Sequence, residues 1–240
     1  MRTINVGVIG TGWCGGIRAN TCASSALVGE LHIAEVNAER LREVQKETNP
    51  TLATNDYHEL ISNDGIDAIM VSTTPETTHY PIAKESLLAG KHVLLEKPLA
   101  LALDEADELI KLARDRDLKF TVGYSQRFNP KFAYIKKSLE EGTIGTPVSA
   151  LISRHISRKL GAKIGGRIKL SPAAMEATHD IDIVLWCLEP ARPVRVYSQV
   201  VSKVMYPTHG VDDCQWIVVT MDDGTVFTIG AGWILPPAYP

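Results

Sequence analysis

The feature that most constrains the fold is a short apolar run that leads directly into a cluster of glycines near the start of the chain. Ile4–Ile9 is rich in β-branched residues, as is typical of a strand buried in a parallel sheet. Gly10, Gly12 and Gly15 follow in G-x-G-x-x-G spacing. In this pattern the first glycine permits a tight turn, the second lets the backbone approach a pyrophosphate, and the third lets the next helix pack on the strand. The stretch therefore predicts a phosphate-binding strand, turn and helix N-terminus.

The residues after the glycines fit the same unit. Residues 17–25 suit a helix and residues 31–35 suit a second strand, which ends at Glu35. An acid about 20 residues after the glycines ordinarily accepts hydrogen bonds from ribose hydroxyls. Glu35 therefore predicts NAD rather than NADP, because its carboxylate would face a 2′-phosphate, and we expect Arg40 to lie too far along the next helix to compensate. The alternative is a chance triplet in a chain with 18 glycines.

Strands and helices alternate up to about residue 124. Further strands are predicted at residues 66–71, 92–96 and 120–123, with helices at 38–48, 58–62, 76–89 and 103–116. Such alternation implies right-handed crossovers and a parallel sheet with helices on both faces. It predicts a doubly wound α/β domain of the Rossmann type over residues 1–124, with ligands at the carboxyl ends of the strands.

The pattern changes in the second half of the chain. Helices are predicted at residues 129–141 and 176–188, and strands at 148–158, 194–202, 213–221 and 225–231. The last two strands join across Asp222-Asp223-Gly224, whose Asp-Gly step is typical of a β-hairpin. We therefore expect an α+β domain over residues 125–240 with an open, mainly antiparallel sheet. Because the sequence ends just after a strand, we also expect this domain to be incomplete at its C-terminal side.

Composition narrows the range of partners. The formal net charge is −3 and both signs are mixed along most of the chain, so the charge pattern favours neither nucleic acid nor an anionic membrane as a partner. The four cysteines lack C-x-x-C spacing and nearby histidines, so we expect no metal. The first residues lack a basic-then-apolar pattern and no apolar run approaches about 18 residues, so we expect neither a signal peptide nor a membrane span. These features predict a cytoplasmic protein whose partner is a small molecule.

Two polar segments can carry chemistry. Glu96-Lys97-Pro98 ends a predicted strand of the first domain, where a parallel sheet presents its ligands, so Lys97 is a candidate base. The alternative is an exposed amine at a strand end. His179 begins a predicted helix in the second domain and is a second candidate. The alternative for His179 is a hydrogen-bonded core histidine.

Taken together, the motifs resemble a known enzyme family. They are the glycine turn, Glu96-Lys97-Pro98, the segment at residues 123–130 and His179-x-x-Asp182. In order and spacing they resemble the glucose–fructose oxidoreductase and inositol dehydrogenase family, Gfo/Idh/MocA, over nearly the whole chain. The resemblance implies hydride transfer between NAD(P) and a sugar, polyol or related alcohol. It also implies a homo-oligomer formed through the open sheet of the second domain.

The resemblance implies roles for individual residues. Lys97 is the expected proton relay, and His179 is the expected partner of a substrate hydroxyl. The cofactor is expected to be lined by Gly10, Gly12, Trp13, Cys14, Gly15, Glu35, Ser72, Thr73, Thr74, Pro75, His79, Glu96, Lys97 and Arg127.

Two features depart from the family pattern. The family often has an acid four residues before the motif histidine, but here Met175 holds that position and Glu176 follows one residue late. The usual catalytic acid therefore has no direct equivalent. Family members are also considerably longer than this chain of 240 residues, which resembles a truncated form.

A run of basic residues lies outside the resemblance. No acidic residue occurs between Glu141 and Glu176, whereas several basic residues surround three glycines there: Arg154, His155, Arg158, Lys159, Lys163, Arg167 and Lys169. We interpret this run as a flexible loop in which Arg158 and Lys163 bind a carboxylate or phosphate of the substrate. The alternative is a solvated or subunit-contacting loop.

These observations predict an NAD-dependent oxidoreductase that acts on a secondary alcohol, or the matching ketone, of a sugar-like or cyclic polyol, with Lys97 and His179 as catalytic residues. One alternative is a regulatory or sensor protein that binds NAD without turnover. The other is a lyase or hydrolase that uses tightly bound NAD for a transient oxidation.

Overall fold

The computed structural model describes residues 3–165 and 170–239 of the chain. The chain forms two compact units, Met1–Gly123 and Tyr124–Pro240, whose boundary lies one residue before the predicted one. Each unit has its own sheet and its own apolar core.

The first unit is built on a parallel sheet of six strands in the order β3-β2-β1-β4-β5-β6. The strands are β1 (Ile4–Ile9), β2 (Val28–Ala34), β3 (Leu52–Thr54), β4 (Ala68–Val71), β5 (His92–Leu95) and β6 (Phe120–Val122). The helices are α1 (Trp13–Ser24), α2 (Ala38–Thr48), α3 (His58–Ile61), α4 (His79–Leu88) and α5 (Leu103–Asp115). The predicted doubly wound sheet is confirmed. Strand β3 was not predicted, because three residues are too few to show a hydrophobic pattern.

Both faces of this sheet are buried, as the order of the strands requires. Val6 and Val8 of β1 pack in an apolar cluster with Ala19 of α1 and Val44 of α2. Ile9, on the opposite face, belongs to a larger cluster that includes residues of α3, α4 and α5. Alternate residues of β1 thus enter two separate cores, which is why this strand lies in the middle of the sheet.

The second unit is α+β. Its helices are α6 (Pro130–Glu140), α7 (Arg158–Gly165), α8 (Thr178–Leu188) and α9 (Tyr206–His209), and a π-helical turn over Ala173–Ala177 leads into α8. Its strands are β7 (Ser149–Ser157), β8 (Pro193–Val201), β9 (Cys214–Met221) and β10 (Val226–Leu235), in the order β7-β10-β9-β8. The predicted hairpin joins β9 to β10, with Gly224 at a φ of 89°. Because β10 is parallel to β7 and the other pairs are antiparallel, the sheet is mixed but mainly antiparallel, as predicted.

One face of this second sheet packs against helix α8. Apolar residues of α8, β9 and β10 form its core, among them Val184, Ile217 and Phe227. On the opposite face the register aligns Leu151, Thr228, Val218 and Tyr197 in one row across the four strands. Leu151 in this row is 79% exposed. The second face is therefore open within this unit.

The predicted flexible basic loop is wrong. Most of the segment is the end of β7 followed directly by helix α7, whose Ile164 is buried with Trp233 of β10 in an apolar cluster. Gly161 permits this contact, because a Cβ there would lie 2.5 Å from the Trp233 side chain. Gly161 therefore serves close packing of a helix on a strand, not flexibility. Arg167 and Lys169 lie outside the described residues.

Candidate functional site

The glycine turn lies at the carboxyl edge of the first sheet, where the segments after β1, β4 and β5 meet. Gly10 has a φ of +80°, and a Cβ there would lie 2.9 Å from the Ser72 backbone. A Cβ on Gly15 would lie 1.8 Å from the carbonyl oxygen of Gly10. At Gly12, in contrast, no other described residue comes within 4 Å of the Cβ position. Gly10 and Gly15 thus permit the turn itself, whereas Gly12 leaves open space for a ligand.

Arg18 connects the segments that follow β4 and β5. Its Nη1 donates to Ser72 Oγ at 2.8 Å and its Nη2 donates to Glu96 Oε1 at 2.5 Å. A side chain at Gly123, just after β6, would meet this pair, because a Cβ there would lie 2.7 Å from Arg18 Nη2. Sequence reasoning missed Arg18. Arg18 could have been found from its position, because it lies one helical turn after Gly15 on the helix that follows the glycine motif.

Lys97 is the second residue after β5 and is half-buried. Its backbone N–H donates to Glu96 Oε2 at 3.1 Å. Cys14, in the first turn of α1, lies in the same charged environment. Burial raises the pKa of the Cys14 thiol and the Glu96 carboxylate raises it further, while Arg18 and Lys97 lower it. The structure therefore brings Cys14, Glu96 and Lys97 together at one sheet edge, as the motif order suggested.

The segment after β4 supplies both exposed and buried groups. Thr74 and Pro75 are exposed, and the hydroxyls of Thr73 and Thr78 lie 2.6 Å apart. His79 is only 1% exposed, with Nδ1 2.7 Å from the Pro98 carbonyl oxygen and Nε2 3.1 Å from that of Thr73. His79 thus joins the segments after β4 and β5 from beneath. His79 supports the site from the interior, and its expected contact with the cofactor stays a prediction.

Glu35 follows β2 and reaches the glycine turn. Its Oε2 accepts from the N–H of Thr11 at 2.7 Å and from the Thr11 hydroxyl at 3.2 Å, while Oε1 accepts from the N–H of Asn37 at 3.0 Å. Arg40 is also at the turn, because its Nε donates to the Thr11 carbonyl oxygen at 2.7 Å. The expectation that Arg40 lies too far along helix α2 to matter is therefore wrong. The reach of the long side chain was not apparent from its sequence position.

In the second unit, His179 lies in the first turn of α8 and is half-buried. Its ring meets the Tyr124 ring edge-on, with centroids 6.1 Å apart, and the Tyr124 hydroxyl lies 2.9 Å from that of Thr178. Packing of this kind fixes the orientation of an imidazole, which a substrate-binding histidine requires.

The two acids of α8 are both occupied by arginines. Asp182 accepts from Nε and Nη2 of Arg127 at 2.8 and 2.6 Å, and Asp180 accepts from Nε and Nη2 of Arg154 at 2.5 and 2.8 Å. Such forked pairs hold each side chain firmly in place. They raise the pKa of both guanidinium groups, with the hydrogen bond to the aspartate as the largest cause. The structure thus joins Arg127 to the His179-x-x-Asp182 motif.

Met175, at the position of the usual acid, is a core residue. It is 3% exposed and packs with Ile164, Met205, Val211 and Trp233. The π-helical turn brings Glu176 towards the same tryptophan, whose Nε1 lies 3.5 Å from Glu176 Oε1. Met175 thus belongs to an apolar core, and the Glu176 carboxylate accepts a hydrogen bond from the Trp233 indole.

The two predicted anion-binding residues stand on helix α7. Lys163 is exposed, and Arg158 is half-buried, with its charge close enough to lower the pKa of Asp213. Arg154, from the same basic run, is committed to Asp180. The described part of the basic run thus lies on strand β7 and helix α7, and anion binding by Arg158 and Lys163 stays a prediction.

Two further findings concern metal ligands and membrane-spanning helices. Among residues 3–165 and 170–239, no group of three or more histidine, cysteine or acidic side chains could hold a metal ion. No helix in the described part of the chain is long and apolar enough to cross a membrane.

The doubly wound sheet, the glycine turn with its open Gly12, and an acid directly after β2 are together typical of a dinucleotide-binding protein of the nicotinamide class. Models of known families agree with this. Residues 4–124 match the NAD-binding Rossmann fold of an oxidoreductase family, GFO_IDH_MocA, and residues 132–240 match the GFO/IDH/MocA C-terminal domain. The chain belongs to the Gfo/Idh/MocA family of oxidoreductases, as its motifs suggested.

Several named proteins are similar to this chain. UDP-N-acetylglucosamine 3-dehydrogenase of Acidithiobacillus ferrooxidans is 31% identical over 98% of this chain and 68% of its own. Myo-inositol 2-dehydrogenase of Thermotoga maritima is 34% identical over 60% of this chain and 43% of its own. Scyllo-inositol dehydrogenase of Lactobacillus casei, solved with NAD(H) and scyllo-inositol, shares the fold, with a TM-score of 0.88 at 21% identity over 98% of this chain and 71% of that one.

The likeness covers only part of some relatives. Three of them are matched over 42%, 43% and 38% of their own length. The activity, substrate and partners of the whole protein therefore do not follow from these likenesses alone.

Proposed function

We propose that this protein is an NAD-dependent dehydrogenase that oxidises a secondary alcohol of a sugar or polyol, or reduces the matching ketone. The observation that carries the proposal is the position of Lys97. It follows β5 at the same sheet edge as the glycine turn, beside Glu96 and Cys14. The family to which the chain belongs, and the inositol and UDP-N-acetylglucosamine dehydrogenases among its relatives, support the same reaction class.

The residues at this edge fit NAD. Gly12 leaves room for the pyrophosphate beside the N-terminus of α1, and Glu35 is oriented by the Thr11 and Asn37 N–H groups to accept ribose hydroxyls. When bound, NAD supplies the acceptor for a hydride. Lys97 takes the hydroxyl proton of the substrate as a general base, which requires a distance of about 3 Å to that oxygen. In the second unit, His179, whose ring packs edge-on against Tyr124, is the residue proposed to bind a substrate hydroxyl.

The direct test is NADH formation from a panel of inositols, sugars, nucleotide sugars and sugar acids. Lys97→Ala should lower kcat by about 10²- to 10⁴-fold, the usual contribution of a general base, and leave NAD affinity close to wild type. Lys111→Ala is the matched control, because Lys111 is an exposed lysine paired only at the surface with Asp115. An active Lys97→Ala enzyme would refute this mechanism.

Met175 favours a second candidate, an NAD-binding sensor without turnover. The position of the usual acid is filled by a methionine that belongs to an apolar core, and a thioether is only a weak hydrogen-bond acceptor. Tight NAD binding without NADH formation from any alcohol in the panel would support the sensor over the dehydrogenase.

We also propose that the open face of the second sheet joins copies of the chain. Leu151, Tyr197 and Trp216 are all exposed on this face, and a contiguous apolar patch of this kind marks an interaction surface.

A further inference from the structure

Thr11, in the middle of the glycine turn, joins two side chains of opposite charge. Thr11 is completely buried. Its N–H and hydroxyl donate to Glu35 Oε2, at 2.7 and 3.2 Å, and its carbonyl oxygen accepts from Arg40 Nε at 2.7 Å. A carboxylate and a guanidinium are thus fixed to one residue of the phosphate-binding turn. Both belong to the neighbourhood of the adenosine ribose, where Rossmann proteins distinguish NAD from NADP.

Arg40 is held in this position by two further contacts. Its Nη1 donates to Glu43 Oε2 at 2.6 Å, one turn along helix α2. Its Nη2 lies over Gly16, where a Cβ would come within 2.3 Å of it. Two nitrogens of the guanidinium are therefore bound, Nε to a carbonyl oxygen and Nη1 to a carboxylate, and Nη2 occupies the space that Gly16 leaves open.

We propose that Glu43 selects the cofactor together with Glu35, by holding Arg40 where it cannot pair with a 2′-phosphate. The inference rests on the proposed NAD-dependent function. An NADP site ordinarily uses an arginine close to the ribose to bind the 2′-phosphate, in a charge-assisted contact. Arg40 is such an arginine. Glu43 competes with the phosphate for Nη1, while Glu35 repels the phosphate directly.

Glu35 and Glu43 should therefore each weaken NADP binding by a separate step. Removing Glu35 alone abolishes the repulsion but leaves Arg40 bound to Glu43. Removing Glu43 alone frees Arg40 but leaves the repulsion from Glu35 in place. Only removal of both gives a 2′-phosphate an accessible cation without a facing carboxylate. The effects of the two substitutions on NADP affinity should consequently exceed the sum of the separate effects, as expected for residues in one ionic network.

The test uses Glu35→Gln, which keeps an acceptor oxygen for Thr11, and Glu43→Ala, which removes the contact to Arg40. Dissociation constants for NAD and NADP are measured by calorimetry without substrate, for both single variants and the double variant. Glu39→Ala in the Glu35→Gln background is the matched control, because Glu39 is an equally exposed acid on α2 and its removal changes the net charge by the same amount.

We expect Glu35→Gln to tighten NADP binding by about tenfold and the double variant by about a further tenfold, each step corresponding to about 1.4 kcal/mol. Adding Arg40→Gln should cancel the second gain. Three results would overturn the inference: a double variant no better than Glu35→Gln, an equal gain from the Glu39→Ala control, or a gain that survives Arg40→Gln.

A second substitution at the same position guards against a variant that does not fold. Glu43→Gln removes the negative charge that competes for Nη1 and keeps a side chain of similar size at an exposed position of α2. In the Glu35→Gln background it should also tighten NADP binding, and no gain would count against the inference. Failure of the wild type to bind NAD would instead refute the proposed function, so the two failures are distinguishable.

Discussion

Gly12 and Gly15 belong to one motif, but the structure requires glycine at the two positions for different physical reasons. Gly15 lies against the Gly10 carbonyl and has no room for a side chain, whereas a Cβ on Gly12 would meet no described residue. Gly15 is therefore required for packing within the fold, whereas Gly12 is required for space at the ligand. Substitution by alanine should therefore separate stability from binding.

Gly12→Ala should weaken NAD binding by about tenfold or more, since its methyl group would occupy the space of the pyrophosphate, and should leave the melting temperature nearly unchanged. Gly15→Ala should destabilise the fold by about 1–3 kcal/mol, because its Cβ forces backbone apart. Thermal unfolding and calorimetry with NAD measure both effects. Equal destabilisation by the two variants would show that Gly12 also serves the fold.

Individual site residues could be predicted from the sequence where they belong to a motif. The glycines, Glu35 and Lys97 could be located because their spacing from predicted strands is diagnostic. Arg18 and Arg40 could not, because what matters is where a long side chain ends, and neither arginine has a fixed partner in sequence. Met175 was recognised as unusual, but its burial in an apolar cluster depends on α7 and β10, which are distant in sequence.

Among the elements, the short helix α9 is held by an acid from the strand connection that follows it. Asp213 is buried, and its carboxylate accepts from the N–H groups of Lys203, Val204 and Met205, just before α9. Burial alone would raise the pKa of Asp213, but these backbone hydrogen bonds, together with the charge of Arg158, lower it below 3.8. The ionised carboxylate is thus the form that stabilises this connection.

Asp213→Asn should destabilise the protein by about 1–3 kcal/mol at neutral pH, because an amide cannot accept all three hydrogen bonds. Since the folded pKa is depressed, the carboxylate contributes fully above the ordinary value of 3.8, and its contribution is lost as the pH falls through the folded value. The difference in unfolding free energy between wild type and variant should therefore shrink below that pH. Denaturant unfolding at several pH values measures it, and a constant difference would contradict the assignment.

Elements with strong local signals could be predicted, and the errors have physical causes. Helix α2 was predicted within its observed bounds, and in the structure it begins where Asn37 accepts hydrogen bonds from the N–H groups of Glu39 and Arg40. Helix α7 lies in a segment for which composition predicts a flexible loop, because glycines and basic residues dominate it. Its helical state depends on tertiary packing of Gly161 and Ile164 near Trp233, which local composition does not reveal.

For the whole molecule, the order of strands in the second sheet was the least predictable feature. The pairing of β9 with β10 is local and its turn is visible in the sequence. The parallel pairing of β10 with β7 joins residues about 77 positions apart, such as Ser149 and Val226, and no local pattern specifies it. The class of the sheet was therefore predictable, whereas its central arrangement was not.

Self-association should depend on the open face of this sheet. Leu151→Asp combined with Tyr197→Asp places two charges in the row that crosses the four strands, and should shift the protein towards monomer by removing apolar contact. Light scattering after gel filtration measures the effect. Leu103→Asp is the matched control, because Leu103 is 86% exposed but belongs to the first unit. A wild-type monomer, or equal effects of the two changes, would exclude this interface.

The residues that contact one another around Thr11 are close together in the sequence as well as in space. Thr11, Glu35, Arg40 and Glu43 are all encoded within a short stretch, and β1, α1, β2, α2 and β3 follow one another up to Thr54. Lys97 and His179 lie well beyond that stretch. A single recombination event downstream of β3 can therefore exchange the adenosine-recognition residues between related genes as one block, while Lys97 and His179, the residues proposed for chemistry, both stay on the remaining part of the chain.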